Sequence, residues 1–183
     1  MRIELINLLD VCLDTDKTCF LAHLGPISTM LSKAAADSNP EMKQKIATFT
    51  GTLCRELKDS AGNYMKGTVI ALTANLSHQH SKVRKITLRG LKDVFVARGA
   101  EPFIAESLGQ LKYSQNDRSS DVRSIFYETL RYWMTNMEIS SLRAVESHLI
   151  LFLLNGLSDE NKEVNEQCKA FLEEHGKRMK EAL

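Results

Sequence analysis

The amino-acid sequence predicts an all-α fold, an α-solenoid made of an N-terminal half repeat followed by about four helix pairs. Apolar residues recur at three- and four-residue spacings along almost the whole chain, which is typical of amphipathic helices. No sustained alternation of apolar and polar residues indicates a β-strand. An internal repeat with a period near 40 residues favours the same fold, since stacked helix pairs repeat at about this length.

The repeat aligns on four dipeptides that begin at positions 42, 83, 122 and 164, so successive units lie 41, 39 and 42 residues apart. The dipeptides are Met42-Lys43, Val83-Arg84, Val122-Arg123 and Val164-Asn165. Eleven residues before each dipeptide the sequence has a leucine, at Leu31, Leu72, Leu111 and Leu153. We expect each leucine to face the partner helix of its own pair and to be buried there.

The predicted array is a single domain over residues 1–183. Residues 1–18 form the half repeat, and residues 1–14 within it resemble the second helix of a pair whose first helix is missing. The four predicted pairs cover residues 19–58, 59–98, 99–137 and 138–183. Each pair has a first helix, a short polar turn and a second helix that begins close to the aligned dipeptide.

Capping residues predict where several helices begin and end. Three turn residues suit the N-cap of a second helix, namely Asn39, Ser119 and Asn161. Pro40 fits the first helical position, where its missing N–H has no intrahelical partner to lose. The helix of the second pair is predicted to run through Arg98 and to stop at Gly99, and Pro102 is predicted to begin the next helix.

Spacing also separates buried from exposed side chains. In the third pair the second helix is predicted to bury Val122, Phe126, Thr129, Leu130 and Trp133. Tyr132 lies off that face and is predicted to be exposed. At the N-terminus we expect an uncovered apolar surface that promotes association between copies of the chain, formed by Ile3, Leu5, Ile6 and Leu9.

Composition excludes several classes of protein. Lys and Arg number 24 against 23 Asp and Glu, so the overall charge attracts neither nucleic acid nor an anionic membrane. No apolar run approaches the roughly 18 residues of a transmembrane helix, and the N-terminus lacks the pattern of a secretory signal. Cys12, Cys19, Cys54 and Cys168 form no CxxC pair and are expected to be reduced, mostly buried thiols of a cytoplasmic protein.

His78 and His80 flank Gln79 and raise the question of a metal site. A zinc site needs three or four converging ligands, and no further ligand lies nearby in the sequence. We therefore interpret the two histidines as turn residues, with an opportunistic metal contact as the alternative. No metal ion, cofactor or small-molecule substrate is expected, and no catalytic motif or residue is present.

A helix–turn–helix unit of about 40 residues, with Asp in the turn and Val-Arg opening the second helix, resembles a HEAT repeat. The resemblance implies a ladder of hydrogen bonds within and between neighbouring pairs, formed by Asp37, Arg84, Asp117, Arg123 and Asp159. His78, Lys43 and Asn165 depart from the HEAT pattern and place the continuity of the ladder in question. We expect the pairs to be exposed and to contribute about 0–1 kcal/mol each.

A basic stretch predicts where a partner could bind. Between His78 and Arg98 the chain has six Lys or Arg and a single acid, Asp93. Five residues are the predicted partner-binding set, namely Lys85, Arg89, Lys92, Arg131 and Tyr132. The alternative is a solvated helix face without a partner.

Three segments resemble the C-terminal half of the HEAT-repeat dynein axonemal assembly factor family: SHQHSKVRKITLRGL, DRSSDVRSIFYETLRYWM and LLNGLSDENKEVNEQCKAFLEEHGKRMKEAL. The resemblance implies a cytoplasmic, non-enzymatic scaffold whose partners are proteins: dynein chains, chaperones or co-assembly factors. A general HEAT adaptor, of the transport-receptor or phosphatase-scaffold type, is the main alternative. A HEAT-like DNA-repair enzyme is a weaker one, because residues such as Gln44, Thr48, Glu166 and Glu173 interrupt the basic stripe that nucleic acid requires.

Overall fold

A computed structural model describes residues 2–181 of the chain, which form ten α-helices and no β-strand. The first five are α1 (Arg2–Thr15), α2 (Lys17–Ala22), α3 (Leu24–Ala35), α4 (Pro40–Glu56) and α5 (Lys66–Ala74). The second five are α6 (Ser81–Val94), α7 (Pro102–Gln115), α8 (Ser120–Asn136), α9 (Ile139–Gly156) and α10 (Lys162–Glu181). Short 3-10 turns flank α5, at Gly62–Tyr64 and Asn75–Ser77. The predicted all-α solenoid is confirmed.

The helices form two layers. The second helices of the pairs, α4, α6, α8 and α10, pack side by side, and α1 packs against α4. The first helices, α3, α5, α7 and α9, form the other layer, and each contacts the second helix of its own pair. The repeat boundaries given above stay predictions. None of the helices in residues 2–181 is both long and apolar enough to cross a bilayer.

The core follows the repeat. Leu31, Leu72, Leu111 and Leu153 are all 0% exposed, as predicted from their shared spacing. The side chains predicted to be buried in α8 are also at most 1% exposed. Trp133 also joins neighbouring second helices within their layer, because its Nε1 on α8 donates a hydrogen bond to the Lys92 carbonyl of α6 at 3.1 Å. Burial of each such large apolar side chain stabilises the fold by about 1.5–3 kcal/mol.

The predicted caps are confirmed at two of three turns. Asn39 Oδ1 accepts hydrogen bonds from the backbone N–H groups of Glu41 and Met42, at 2.8 and 3.4 Å. Asn161 Oδ1 does the same for the first turn of α10. Ser119 has the extended backbone of an N-cap, but its side chain makes no capping hydrogen bond, so that prediction is wrong in its chemistry.

One helix boundary and the continuity of one first helix differ from the prediction. The first helix of the first pair is interrupted at His23, because Pro26 has no N–H to donate to the carbonyl of Ala22 four residues earlier. The helix α6 ends at Val94 rather than Arg98, since the Arg98 N–H donates across the chain to the Lys58 carbonyl at 2.8 Å. Gly99 then turns the chain with φ of +90°, a conformation that side chains with a Cβ rarely adopt.

The N-terminal helix corrects two further predictions. Ile6 is 1% exposed and belongs to the core, whereas the uncovered apolar face of α1 consists of Leu5, Leu8 and Val11, each more than half exposed. Cys12 and Cys19 are exposed, and only Cys54 and Cys168 are buried. Both thiols were misassigned because the sequence pattern of α1 and α2 does not reveal which side of each helix a neighbour covers.

Candidate protein-binding surface and the Arg–Asp ladder

Arg84 at the start of α6 joins the second and third pairs. Its Nε and Nη2 donate to the two carboxylate oxygens of Asp117, at 2.5 and 2.7 Å. Its Nη1 donates to the carbonyls of His78 and Gln79, at 2.6 and 3.1 Å. One guanidinium therefore fixes the turn before its own helix and the turn of the next pair at the same time.

Arg123 repeats this arrangement one unit later. Its Nε and Nη2 donate to both carboxylate oxygens of Asp159, at 2.7 and 2.8 Å. Its Nη1 donates to the Asp117 carbonyl at 2.7 Å, and Glu160 lies 3.3 Å from Nη2. The second, third and fourth pairs are thus linked by two consecutive rungs of the same geometry.

The expectation that these pairs are exposed is wrong. The side chains of Arg84 and Asp117 are 6% and 4% exposed, and those of Arg123 and Asp159 are 8% and 6% exposed. Removal of one member of a buried pair leaves an uncompensated charge, which costs about 3–5 kcal/mol rather than the 0–1 kcal/mol of a surface pair. The spacing of the sequence gives the positions of these residues but not the helices that cover them.

Electrostatics at the second rung stabilise the charged form of both partners. The hydrogen bond to Asp159 is the largest cause that raises the pKa of Arg123. Burial by itself would raise the pKa of Asp159, but hydrogen bonds from Arg123 and from the Asn161 amide outweigh it and lower that pKa. Both groups therefore stay ionised at neutral pH.

The three departures from the HEAT pattern change the chemistry of the ladder. Lys43 replaces the arginine and donates to Asn75 Oδ1 at 2.6 Å and to the Ala35 carbonyl at 3.2 Å. Burial lowers the pKa of Lys43. Asn165 donates to the Leu157 carbonyl. Neutral amide groups and carbonyls, rather than a carboxylate, therefore accept these bonds.

His78 keeps one function of the missing aspartate. In the other three turns an Asp Oδ1 accepts the N–H two residues further on, each at 2.8 Å. In the second pair His78 Nδ1 accepts the His80 N–H at 3.1 Å. Burial lowers the pKa of His78, which favours the neutral ring that can accept this bond. Within residues 2–181, no group of three or more His, Cys, Asp or Glu side chains could hold a metal ion.

The predicted partner-binding residues lie together on α6 and α8, but most already contact a neighbouring helix. Lys85 Nζ is 3.1 Å from Asp121 Oδ2. Arg131 forms two hydrogen bonds with Glu174, at 2.7 and 3.1 Å. Arg89 is exposed and forms no ion pair with any residue that the structure describes.

Tyr132 is partly buried, which corrects its predicted exposure. The Lys92 ammonium lies 4.6 Å from the centre of its ring. Asp93 pairs with Arg55 of α4 at 3.1 Å. This single acid of the basic stretch therefore joins α6 to α4, and burial raises its pKa.

A sequence-family profile described as "Dynein axonemal assembly factor 5-like, TPR repeats" matches residues 1–182. The chain belongs to this family of dynein axonemal assembly factor 5-like repeat proteins. Its description names TPR repeats, which are two-helix units of about 34 residues, whereas the intervals of 41, 39 and 42 residues in this chain are closer to the HEAT period. Stacked helix pairs of either kind typically serve as binding scaffolds.

Solved structures support the fold of this member of the dynein axonemal assembly factor 5-like family. One engineered protein matches with a TM-score of 0.62 and 18% identity, over 79% of this chain and 60% of the other. A second engineered protein matches with a TM-score of 0.58 and 18% identity, over 81% of this chain and 37% of the other. The chain thus spans less than two thirds of either structure. A comparison with curated proteins finds no significant match.

The sequence analysis missed a close backbone contact between α4 and α6 in this family member. A Cβ built on Gly90 would lie 2.3 Å from the Ala47 carbonyl oxygen, and one on Gly51 would lie 3.1 Å from Gly90 Cα. The signal was available, because glycine in the middle of a predicted helix is unfavourable and often marks a close backbone approach.

Proposed function

We propose that this chain is a non-enzymatic scaffold that binds client proteins during the cytoplasmic preassembly of axonemal dynein arms. The observation that carries the proposal is the family match, because it extends over residues 1–182 and not over one repeat alone. The clients would be dynein chains, and chaperones or other assembly factors would act beside the scaffold.

The architecture suits such a task. Each helix pair contacts only its neighbours, so the array offers a large surface for its mass and keeps distant side chains at fixed spacings. We assign client binding to the second-helix surface, which we define as the outer side chains of α6 and α8 around Lys85, Arg89, Lys92, Arg131 and Tyr132.

Within that surface, Arg89 is the best candidate for direct contact with a client. It is exposed and has no ion-pair partner in residues 2–181, so it can bind a carboxylate without first breaking an internal bond. Lys85 and Arg131 are held by Asp121 and Glu174 and would form a fixed polar rim. Tyr132 and Lys92 supply a cation–aromatic pair beside Arg89.

The test is affinity capture from extracts of ciliated cells, with axonemal dynein chains detected by antibody. Arg89→Glu reverses the charge of the candidate contact. Arg143→Glu is the matched control, since Arg143 is exposed on α9 in the opposite layer and also lacks an ion pair within the described residues. We expect the unaltered chain and Arg143→Glu to retain dynein chains, and Arg89→Glu to lose most of them.

The outcomes separate the role from the surface. Failure of the unaltered chain to capture any axonemal dynein chain contradicts the assembly role. Equal capture by Arg89→Glu and Arg143→Glu keeps that role but places client binding outside the second-helix surface. Circular dichroism of each variant checks that the helices remain folded.

A further inference from the structure

A groove, polar in its larger part, runs along the edge of the molecule where the first helices turn into the second helices. Its larger part, about 750 Å³, lies between the α7–α8 turn and the α9–α10 turn. A smaller part, about 460 Å³, lies between the α5–α6 turn and the α7–α8 turn. Asp117 and Arg118 line both parts, so the two meet at the α7–α8 turn. We call the whole depression the turn groove; none of the residues of the second-helix surface lines it.

The unpaired charges of the turn groove are mainly positive. Arg84 and Arg123 are neutralised by the carboxylates of the ladder and are not available to a ligand. Lys112 is exposed and forms no ion pair within residues 2–181. Arg118 is also exposed and donates a single bond, to the Gln79 carbonyl at 3.0 Å. Glu160, which lies near Arg123, is the one remaining acid on the groove wall, so the wall favours a negatively charged ligand.

Tyr127 gives the groove a buried hydrogen-bond donor. The residue is 1% exposed, yet it lines the larger part of the groove. Its hydroxyl has no hydrogen-bond partner within residues 2–181. In that part of the chain, the unpaired side-chain atoms sealed from solvent are Thr87 Oγ1 and Ser114 Oγ, so the Tyr127 hydroxyl remains accessible from the groove. Burial raises the pKa of Tyr127, so the hydroxyl keeps its proton. A buried polar group of this kind normally has a partner, and here a ligand can supply it.

Three amide side chains line the same wall, at Gln115, Asn116 and Asn155. Asn116 donates to the Lys112 carbonyl at 3.2 Å, while Gln115 and Asn155 make no side-chain hydrogen bond within the described residues. Amides both donate and accept hydrogen bonds, which matches the alternating groups of an extended peptide backbone. Among the described residues of the groove, two bases without an ion pair, Lys112 and Arg118, are fewer than the phosphate backbone of a nucleic acid requires.

We propose that the turn groove binds an extended peptide segment that carries an acidic side chain. Lys112 and Arg118 receive the carboxylate, and the Tyr127 hydroxyl donates to it or to an adjacent backbone carbonyl. The amide side chains hold the peptide backbone on both sides of the acidic residue. This site is independent of the second-helix surface and of the proposed role in dynein assembly.

The probe is a short synthetic peptide of alternating Glu and Ser, titrated into the ¹⁵N-labelled chain while backbone amide shifts are followed by NMR. We expect the shifts to concentrate at residues 112–119 and 155–160. The same peptide with Gln in place of Glu should bind about tenfold more weakly, since it lacks the charge-assisted hydrogen bonds. Lys112→Gln combined with Arg118→Gln should have a similar effect on the Glu peptide.

Tyr127→Phe keeps the buried ring and removes only the hydroxyl, so it should weaken the Glu peptide about three- to tenfold without general spectral change. Lys169→Gln is the matched control, because Lys169 is an exposed base on α10 outside the groove. Absence of binding, equal binding of the Glu and Gln peptides, or shifts centred on α6 would overturn the proposal.

Discussion

The α4–α6 junction and the α6–α8 junction solve the same packing problem by different means. At α4–α6 the two helices approach closely through Gly51 and Gly90, and the turn of the second pair carries no carboxylate at position 78. At α6–α8 a buried guanidinium, Arg84, holds Asp117 through two short hydrogen bonds. The first junction depends on the absence of side chains at its centre, with the half-exposed Arg55 paired to Asp93 at its edge, and the second depends on a fully buried pair of charges.

The difference has consequences for how each junction fails. A glycine contact is apolar and insensitive to pH or salt, but it tolerates no added atom. A buried ion pair tolerates small shifts of its long side chains, but removal of one partner leaves an unpaired charge in a low-dielectric site. Neighbouring junctions of one array can therefore be broken selectively by different substitutions.

The largest effect should come from breaking the α6–α8 rung. Asp117→Ala leaves Arg84 buried without its carboxylate and is expected to lower the free energy of unfolding by about 3–5 kcal/mol, measured by urea denaturation. Asp16→Ala is the control, since it removes an exposed carboxylate that accepts hydrogen bonds from the backbone N–H groups of Thr18 and Cys19, and it should cost about 0.5–2 kcal/mol. If Asp117→Ala cost no more than Asp16→Ala, Asp117 would act only within its own turn and not in the α6–α8 junction.

The next effect concerns the glycine junction. Gly90→Ala places a methyl group against the Ala47 carbonyl and is expected to lower the free energy of unfolding by about 1–3 kcal/mol. Gly109→Ala is the matched control, since a Cβ there meets no atom within 4 Å. The control should gain up to about 1 kcal/mol from helix propensity. A stabilised Gly90→Ala would contradict the close contact.

Acid should distinguish the two kinds of junction. Because the folded-state pKa of Asp159 is lowered, its contribution is fully present above the unfolded pKa and is lost as pH falls through the lower folded value. Asp93, next to the glycine contact, has a raised pKa, so its burial cost is relieved as pH falls through that value. As pH falls from 6 to below about 4, the backbone amides of α10 should therefore lose protection before those of α4 and α6, which hydrogen exchange can follow. Simultaneous loss of protection in all three helices would contradict this order.

The smallest effect is expected at the exposed pair between α8 and α10. Arg131 and Glu174 have side chains about half exposed, so a double-mutant cycle with Arg131→Gln and Glu174→Gln should give about 0–1 kcal/mol, decreasing at high salt. The same cycle at Arg123 and Asp159 should give a clearly larger coupling. Equal coupling at both sites would show that burial does not strengthen the ladder.

Much of the fold was predictable because a solenoid repeats its local pattern. The register of Leu31, Leu72, Leu111 and Leu153 gave the core, and the caps at Asn39 and Asn161 gave two helix starts. The partners of the basic residues were not predictable in the same way. Asp121 and Glu174 lie 36 and 43 residues beyond Lys85 and Arg131, and only the packing of successive second helices makes them neighbours.

The sequence by itself determined the period, the helical class and the family of this chain, because each of these depends on residues a few positions apart or on a recurring spacing. The tertiary structure alone decided which charges are buried, which are already paired and which, such as Arg89, Lys112 and Arg118, remain available. Burial and pairing depend on which helices pack together, and chain spacing does not specify the rotation of one helix against another.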